Sequence, residues 1–132
     1  TNAAKSGVDV RIITPHVPDK WYVHMVSQAH YPQLVEAGVR IFEYTPGFIH
    51  AKTFVSDDLY AVVGTINLDY RSLYLHFECA TWLYRNSSIR AIYHDFEHTQ
   101  EVSQEITLAD CRAVSFGKRL LRNILKVFAP LM

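Results

Sequence analysis

The chain alternates between short apolar runs of strand period and longer stretches of helical period. Val8, Val10 and Ile12 alternate with Asp9, Arg11 and Ile13, which predicts a strand over residues 8–14 that Pro15 and Pro18 end. Asp19 is placed to cap a helix from about Lys20 to His30, with Pro32 tolerated as the first residue of a continuing or second helix and Gly38 at its end. Val39–Tyr44 alternates again. Strand, helix and strand in so few residues predict a parallel βαβ unit. The turn cluster Ser56-Asp57-Asp58, followed by a second apolar run at Leu59–Val63, predicts a hairpin ending at Gly64. Leu73–Tyr84 reads as one long alternating strand, with His76, Glu78, Ala80 and Trp82 on one face and Leu75, Phe77, Cys79 and Thr81 on the other.

Beyond it, Asn86-Ser87-Ser88 is placed to cap a helix from about Ile89 to Gln104. Thr107 is placed to cap a short helix to about Val114, and Gly117–Phe128 predicts a last helix. The expected fold class is α/β, a mixed β-sheet flanked by helices.

Composition adds limits. The chain has 132 residues, is 49% hydrophobic and carries a formal net charge of zero. That is enough for one domain with a core, and it gives no bulk basic character for nucleic acid. Cys79 and Cys111 are too few for a disulfide framework, and Cys79 is expected as a small core residue. No apolar run approaches the roughly 20 residues that cross a bilayer, so this stretch is expected to be soluble with no transmembrane segment. Thr1–Lys5 reads as the tail of a helix, and the chain is expected to be a piece of a longer one.

The chemistry concentrates in Gly47–Asp69. His50 and Lys52 are two apart and would share a face on a strand, and Thr65 and Asn67 share a parity just beyond Gly64. A histidine beside a fixed cation and neutral donors suits attack on, or protonation of, a phosphate ester. The spacing His50-x-Lys52-x4-Asp57, followed six residues later by Gly64-Thr65-x-Asn67, resembles the HKD motif of the phospholipase D superfamily. Asn67–Ser72, Phe77-Glu78, Gly7–Ile12 and Ala37–Ile41 are similar to the bacterial cardiolipin synthases in particular.

The resemblance implies a phospholipase D-like half-domain over residues 1–114 with its motif core at 44–71, followed by a C-terminal amphipathic helix at 115–132. It implies that two such halves, each with one motif, build one active site. The expected function is the C-terminal catalytic half of a cardiolipin synthase, moving a phosphatidyl group between two phosphatidylglycerol molecules through a phosphohistidine. The expected catalytic set is His50, Lys52, Asp57, Asn67 and Glu78, with Lys52, Thr65 and Asn67 binding the phosphate. His50 is nucleophile or general acid/base; superfamily usage assigns the nucleophile to the first motif, which makes His50 the acid/base. Glu78 is expected to orient His50. Asp57 lies in the turn and is expected to act structurally. No cofactor or metal is implied, and Thr65 departs from the serine more usual at that place.

The implied partners are phosphatidylglycerol, the N-terminal HKD half of the same parent chain and the bacterial cell membrane. Residues 117–132 are a second candidate for the membrane contact, with Leu120, Leu121, Ile124, Leu125, Val127 and Phe128 on one face. Docking of that face on the domain or on the missing half is the competing reading. His94 and His98, four apart on a helix, have metal-like spacing but no third ligand nearby, and read as surface polarity. Three alternatives to the synthase remain: a nuclease dimer of single-motif chains, a phospholipase, and a non-catalytic interaction module.

Overall fold

A computed structural model describes residues 1–131. The elements run α1 (Asn2–Lys5), β1 (Arg11–Pro15), α2 (Trp21–Glu36), β2 (Arg40–Tyr44), β3 (Thr53–Ser56), β4 (Tyr60–Gly64), β5 (Ala80–Tyr84), α3 (Ser88–Glu101), β6 (Ser103–Ile106), α4 (Leu108–Arg112) and α5 (Phe116–Val127). A turn of π-helix at Arg71–Leu75 precedes β5, and a 3-10 turn follows α5. The strands form two sheets, of order β1-β2-β6 and β3-β4-β5. The chain accordingly divides into two compact units, residues 1–49 with 102–129 and residues 50–101. Helix α5 packs on α2 and so joins the first unit, while the hairpin, β5 and α3 form a unit of their own.

In the first unit β1 and β2 are parallel, with α2 as the crossover. Helix α2 runs on through Pro32 as one helix and is capped at its start by Lys20 rather than Asp19, with no side-chain cap. It ends in a Schellman motif. Gly38 has φ +93°, its N–H reaches the Val35 carbonyl at 3.0 Å, and the Val39 N–H reaches the Leu34 carbonyl at 3.0 Å. Only glycine takes that backbone without strain, and the turn sends the chain directly into β2. β2 is the central strand, and Val39, Ile41 and Tyr31 form a buried cluster with Ile12, Leu34 and Ile106 packed against it. Burial on both faces includes a carboxylate, Glu43, at 4% exposure.

The sequence reading missed β6. Ser103–Ile106 is too polar and short to read as a strand, and the expected helix ran on to Gln104 through it. It pairs antiparallel with β2, from Ile41↔Ile106 to Tyr44↔Ser103, and Arg40 makes a bidentate pair with Glu105 at 2.8 and 3.0 Å. Helix α4 starts as expected at Thr107, whose side chain and that of Asp110 form a reciprocal capping box.

In the second unit β3, β4 and β5 make an antiparallel meander. Asp57 and Asp58, with φ of 52° and 53°, close β3 and β4 through a turn with both central residues left-handed. The Leu59 N–H donates to the Ser56 carbonyl at 3.1 Å. With Ser56 paired to Tyr60 the connection is the three residues 57–59, and Asp tolerates the left-handed backbone at its first two positions better than most residues. Helix α3 packs on β3 and β4 and buries Ile89. Its start is fixed by the Asn86 carboxamide oxygen, which accepts the Ser88 N–H at 2.8 Å.

The long strand expected over residues 73–84 is shortened to Ala80–Tyr84. Upstream, the Asp69 carboxylate accepts the Ser72 N–H at 2.7 Å and the His76 N–H reaches back five residues to the Arg71 carbonyl at 2.8 Å. An apolar alternation cannot register that local cap, so the period was read as strand. Cys79, expected in the core, is exposed, because it lies at the open end of the sheet.

Candidate active site

The register of the three-stranded sheet gathers the motif residues. β3 begins, β4 ends and β5 begins at the same edge. Thr53 pairs with Val63, the Gly64 N–H donates to the Lys52 carbonyl at 3.2 Å, Gly64 pairs with Ala80, and the Thr65 N–H donates to the Cys79 carbonyl at 3.0 Å. Three separate stretches, 50–52, 64–67 and 78–79, therefore meet at one end of the sheet. Gly64 permits it: a Cβ there would lie 2.3 Å from the Cys79 carbonyl oxygen and 2.6 Å from Ala80 Cα. That contact is with backbone, so any side chain at residue 64 would force the strands apart.

Glu78 is the hub of this end. Its carboxylate accepts the Thr65 hydroxyl proton, and Thr65 Oγ1 in turn accepts the Cys79 N–H at 3.1 Å. The hydrogen bond from Thr65, then one from Ser72, and the nearby charges of His76 and Lys52 together hold the Glu78 carboxyl below its ordinary range, against a small opposing effect of burial. Ser72 is itself buried, on the π-helical turn. Sequence reasoning did not single it out, although it lies in the Asn67–Ser72 stretch that carries the resemblance.

Both hydrogen-bond donors of Thr65 are engaged, the N–H by Cys79 and the hydroxyl by Glu78. The hydroxyl of Thr65 is thus turned to the Glu78 carboxylate in this structure. Lys52 sits just ahead of β3, half-buried, and gives one of its three ammonium N–H groups to the His50 backbone carbonyl at 3.0 Å. That bond tethers the cation to the histidine's own backbone. His50 is exposed in the segment leading into β3, so it and Lys52 precede the strand on which their spacing would have placed them. Asn67 is exposed in the loop after β4.

Asp57 is the exception. The turn that holds it is at the far end of the hairpin from His50, separated by the four residues of β3, a span of roughly 13 Å at strand rise. Its carboxylate accepts the adjacent Ser56 hydroxyl at 3.4 Å. It belongs to the spacing pattern and to the turn, not to the cluster at Glu78. On α3, His94 and His98 face Glu97 at 3.2 Å and Glu101 at 3.6 Å, as i,i+3 pairs along the helix surface.

A sequence-family profile described as "Cardiolipin synthase, PLD-like domain" matches residues 1–100. The chain belongs to that family. Among curated relatives, the cardiolipin synthase of Halalkalibacterium halodurans is 39% identical over 130 residues, 98% of this chain and 26% of its own length. Cardiolipin synthase 2 of Bacillus anthracis is 38% identical over 130 residues, with 25% of its length covered. An uncharacterised protein of Streptococcus mutans is 47% identical over 130 residues, with 28% covered. The chain thus spans about a quarter of the length of the curated relatives it matches. For this PLD-like domain the α/β class stands, with the strands distributed over two sheets.

Proposed function

We propose that this chain supplies the C-terminal half of the active site of a phosphatidyl-transferring enzyme of the cardiolipin synthase type. The observation that carries the reading is the convergence of Lys52, Thr65 and Glu78, beside His50, at one end of a single sheet. In the first step an imidazole nitrogen attacks the phosphorus of one phosphatidylglycerol. The P–O bond to the terminal glycerol breaks, and a second imidazole, now an acid, protonates the departing glycerol oxygen. In the second step that imidazole removes the proton from a hydroxyl of another phosphatidylglycerol, whose oxygen displaces the histidine and yields cardiolipin. His50 takes one of these two roles and the histidine of the other half takes the other. Lys52 neutralises the equatorial phosphoryl oxygens, and Asn67 contributes an amide donor. Glu78, held ionised by Thr65 and Ser72, orients the imidazole.

A surface beside the site supports the need for a second half. Leu68, Tyr70, Leu73, Tyr74, Leu75 and Phe77 are all exposed, and Phe77 is fully so, immediately before Glu78. An apolar run of this size on the site's own rim is the surface that the other HKD half of the parent chain would cover. The test is transfer of labelled phosphatidylglycerol into cardiolipin by the longer protein. His50→Ala lowers turnover by about a thousandfold with an unchanged circular dichroism spectrum. Near-normal turnover removes His50 from the mechanism.

A further inference from the structure

Helix α5 docks by the wrong edge for a core helix. Its half-buried residues are Arg122, Leu125 and Lys126, spaced as one helical stripe toward α2. Arg122 bonds the Gln28 side chain and lines a cavity with Gln28, Tyr31, Glu43 and Cys111, while Lys126 lies near His30. The apolar stripe points elsewhere. Phe116, Leu120, Leu121, Ile124, Val127 and Phe128 are all exposed, from 42% at Leu121 to 75% at Val127. A helix that packs through its polar edge and presents six large apolar side chains outward is not explained by the docking it makes.

Charge says what the outward face fits. Residues 111–132 hold five of the chain's 13 Lys and Arg and none of its 13 Asp and Glu. Lys118 and Arg119 sit at the two margins of the apolar stripe, with Arg119 over the Phe116 ring at 5.8 Å. An apolar face bordered by cations and by no acidic residue complements an anionic lipid surface, and the absence of acidic residues disfavours pairing with a second copy of the same helix. We infer that α5 lies in the headgroup layer of an anionic membrane, apolar face down, anchored to the domain through Arg122 and Lys126. The inference does not rest on the chemistry at His50, and its test reads binding rather than turnover.

The test is co-sedimentation of the 132-residue chain with vesicles of phosphatidylglycerol and phosphatidylcholine in equal parts, and of phosphatidylcholine alone. The chain binds the mixed vesicles and binds neutral ones about tenfold more weakly, and L120E/I124E loses binding to the mixed vesicles by about tenfold or more. K118Q/R119Q weakens only the anionic preference. Equal binding by L120E/I124E overturns the inference. So does a chain dimer in analytical ultracentrifugation that L120E/I124E dissociates and that ignores vesicles, since a second copy then covers the face. In the longer protein, with Cys79 and Cys111 changed to serine, I124C reacts with a maleimide unless vesicles shield it. An I124C already shielded without lipid assigns the face to the rest of the chain and overturns the proposal as well.

Discussion

Two carboxylates, one in each unit, are held by contrasting means. Glu43 sits on the central strand of the first sheet, buried, with His16 Nδ1 at 2.8 Å, the Gln28 amide at 3.1 Å and Tyr31 beside it. Glu78 sits at the open end of the second sheet, held by two hydroxyls within reach of solvent. Both titrate below the ordinary carboxylate range. For Glu43, burial acts upward and the donors Gln28 and His16 outweigh it; for Glu78, the donors act with little burial to oppose them. The first arrangement ties elements together. The second keeps a charged oxygen ordered and accessible, which suits the orienting role proposed for it. The same division runs through the packing. Among the described residues, the buried hydrophobics Tyr31, Ala37, Val39, Ile41 and Phe42 lie in the first unit, and Ala61 and Ile89 in the second. The unit carrying the candidate chemistry has the thinner core.

The contrast breaks most visibly at the two cores. Ile41→Ala and Ile89→Ala each remove a side chain at 1% exposure and each cost about 2–5 kcal/mol. Hydrogen exchange separates them: Ile41→Ala exposes the β1-β2-β6 amides, and Ile89→Ala exposes those of β3, β4 and β5. Uniform loss of protection from both would mean one cooperative core rather than two.

Acid tests the carboxylates next. Because the Glu43 pKa is depressed in the folded chain, its contribution to stability is complete above the unfolded value and is lost as pH falls through the lower folded value. Glu43→Ala costs about 3 kcal/mol at neutral pH by leaving His16 and Gln28 without their acceptor, and the deficit shrinks in acid. Urea unfolding across that range reads it; a deficit independent of pH contradicts the ionised assignment. At Glu78 the readout is local. Thr65→Val moves the carboxylate titration, followed by carbon NMR, upward toward the ordinary value, and Thr65→Ser restores it. An unmoved titration takes Thr65 out of its positioning role.

The smallest effect is expected at Asp57. Asp57→Gly stays within about 0.5 kcal/mol of wild type and Asp57→Val loses about 1 kcal/mol, since residue 57 needs a left-handed backbone. In the longer protein Asp57→Gly keeps transfer activity. A large loss of turnover in that folded variant would return Asp57 to the chemistry.

What the sequence made legible follows where local signals and global packing agree. The parallel βαβ unit, the hairpin, the Gly38 stop, and the caps at Asn86 and Thr107 are short-range chemistry, and each is present. β6 escaped because pairing with β2, not its own polar residues, makes it a strand. The stretch before β5 escaped because a single carboxylate, Asp69, turns an alternating run into a helical turn. At the site, the register brings the stretches that hold Lys52, Thr65 and Glu78 to one end of the sheet, with His50 in the segment ahead of β3. The buried role of Ser72 and the engagement of Thr65 with Glu78 depend on contacts across 13 residues of sequence for that last pair, and no periodicity encodes them. The alternation of Val39–Tyr44 did not single out Glu43, which the sheet order, with β2 in the middle, buries.

The central claim is that this chain is one half of a phosphatidyl-transfer site. The most direct measurement gives the chain labelled phosphatidylglycerol in detergent micelles over a wide range of chain concentration, alone and mixed with the half of the longer protein that bears the other motif. The account predicts no labelled cardiolipin from the chain alone, and product on mixing that His50→Ala abolishes. His50-dependent product from the chain alone, rising steeply with its concentration, would show that two copies build the site and would contradict it.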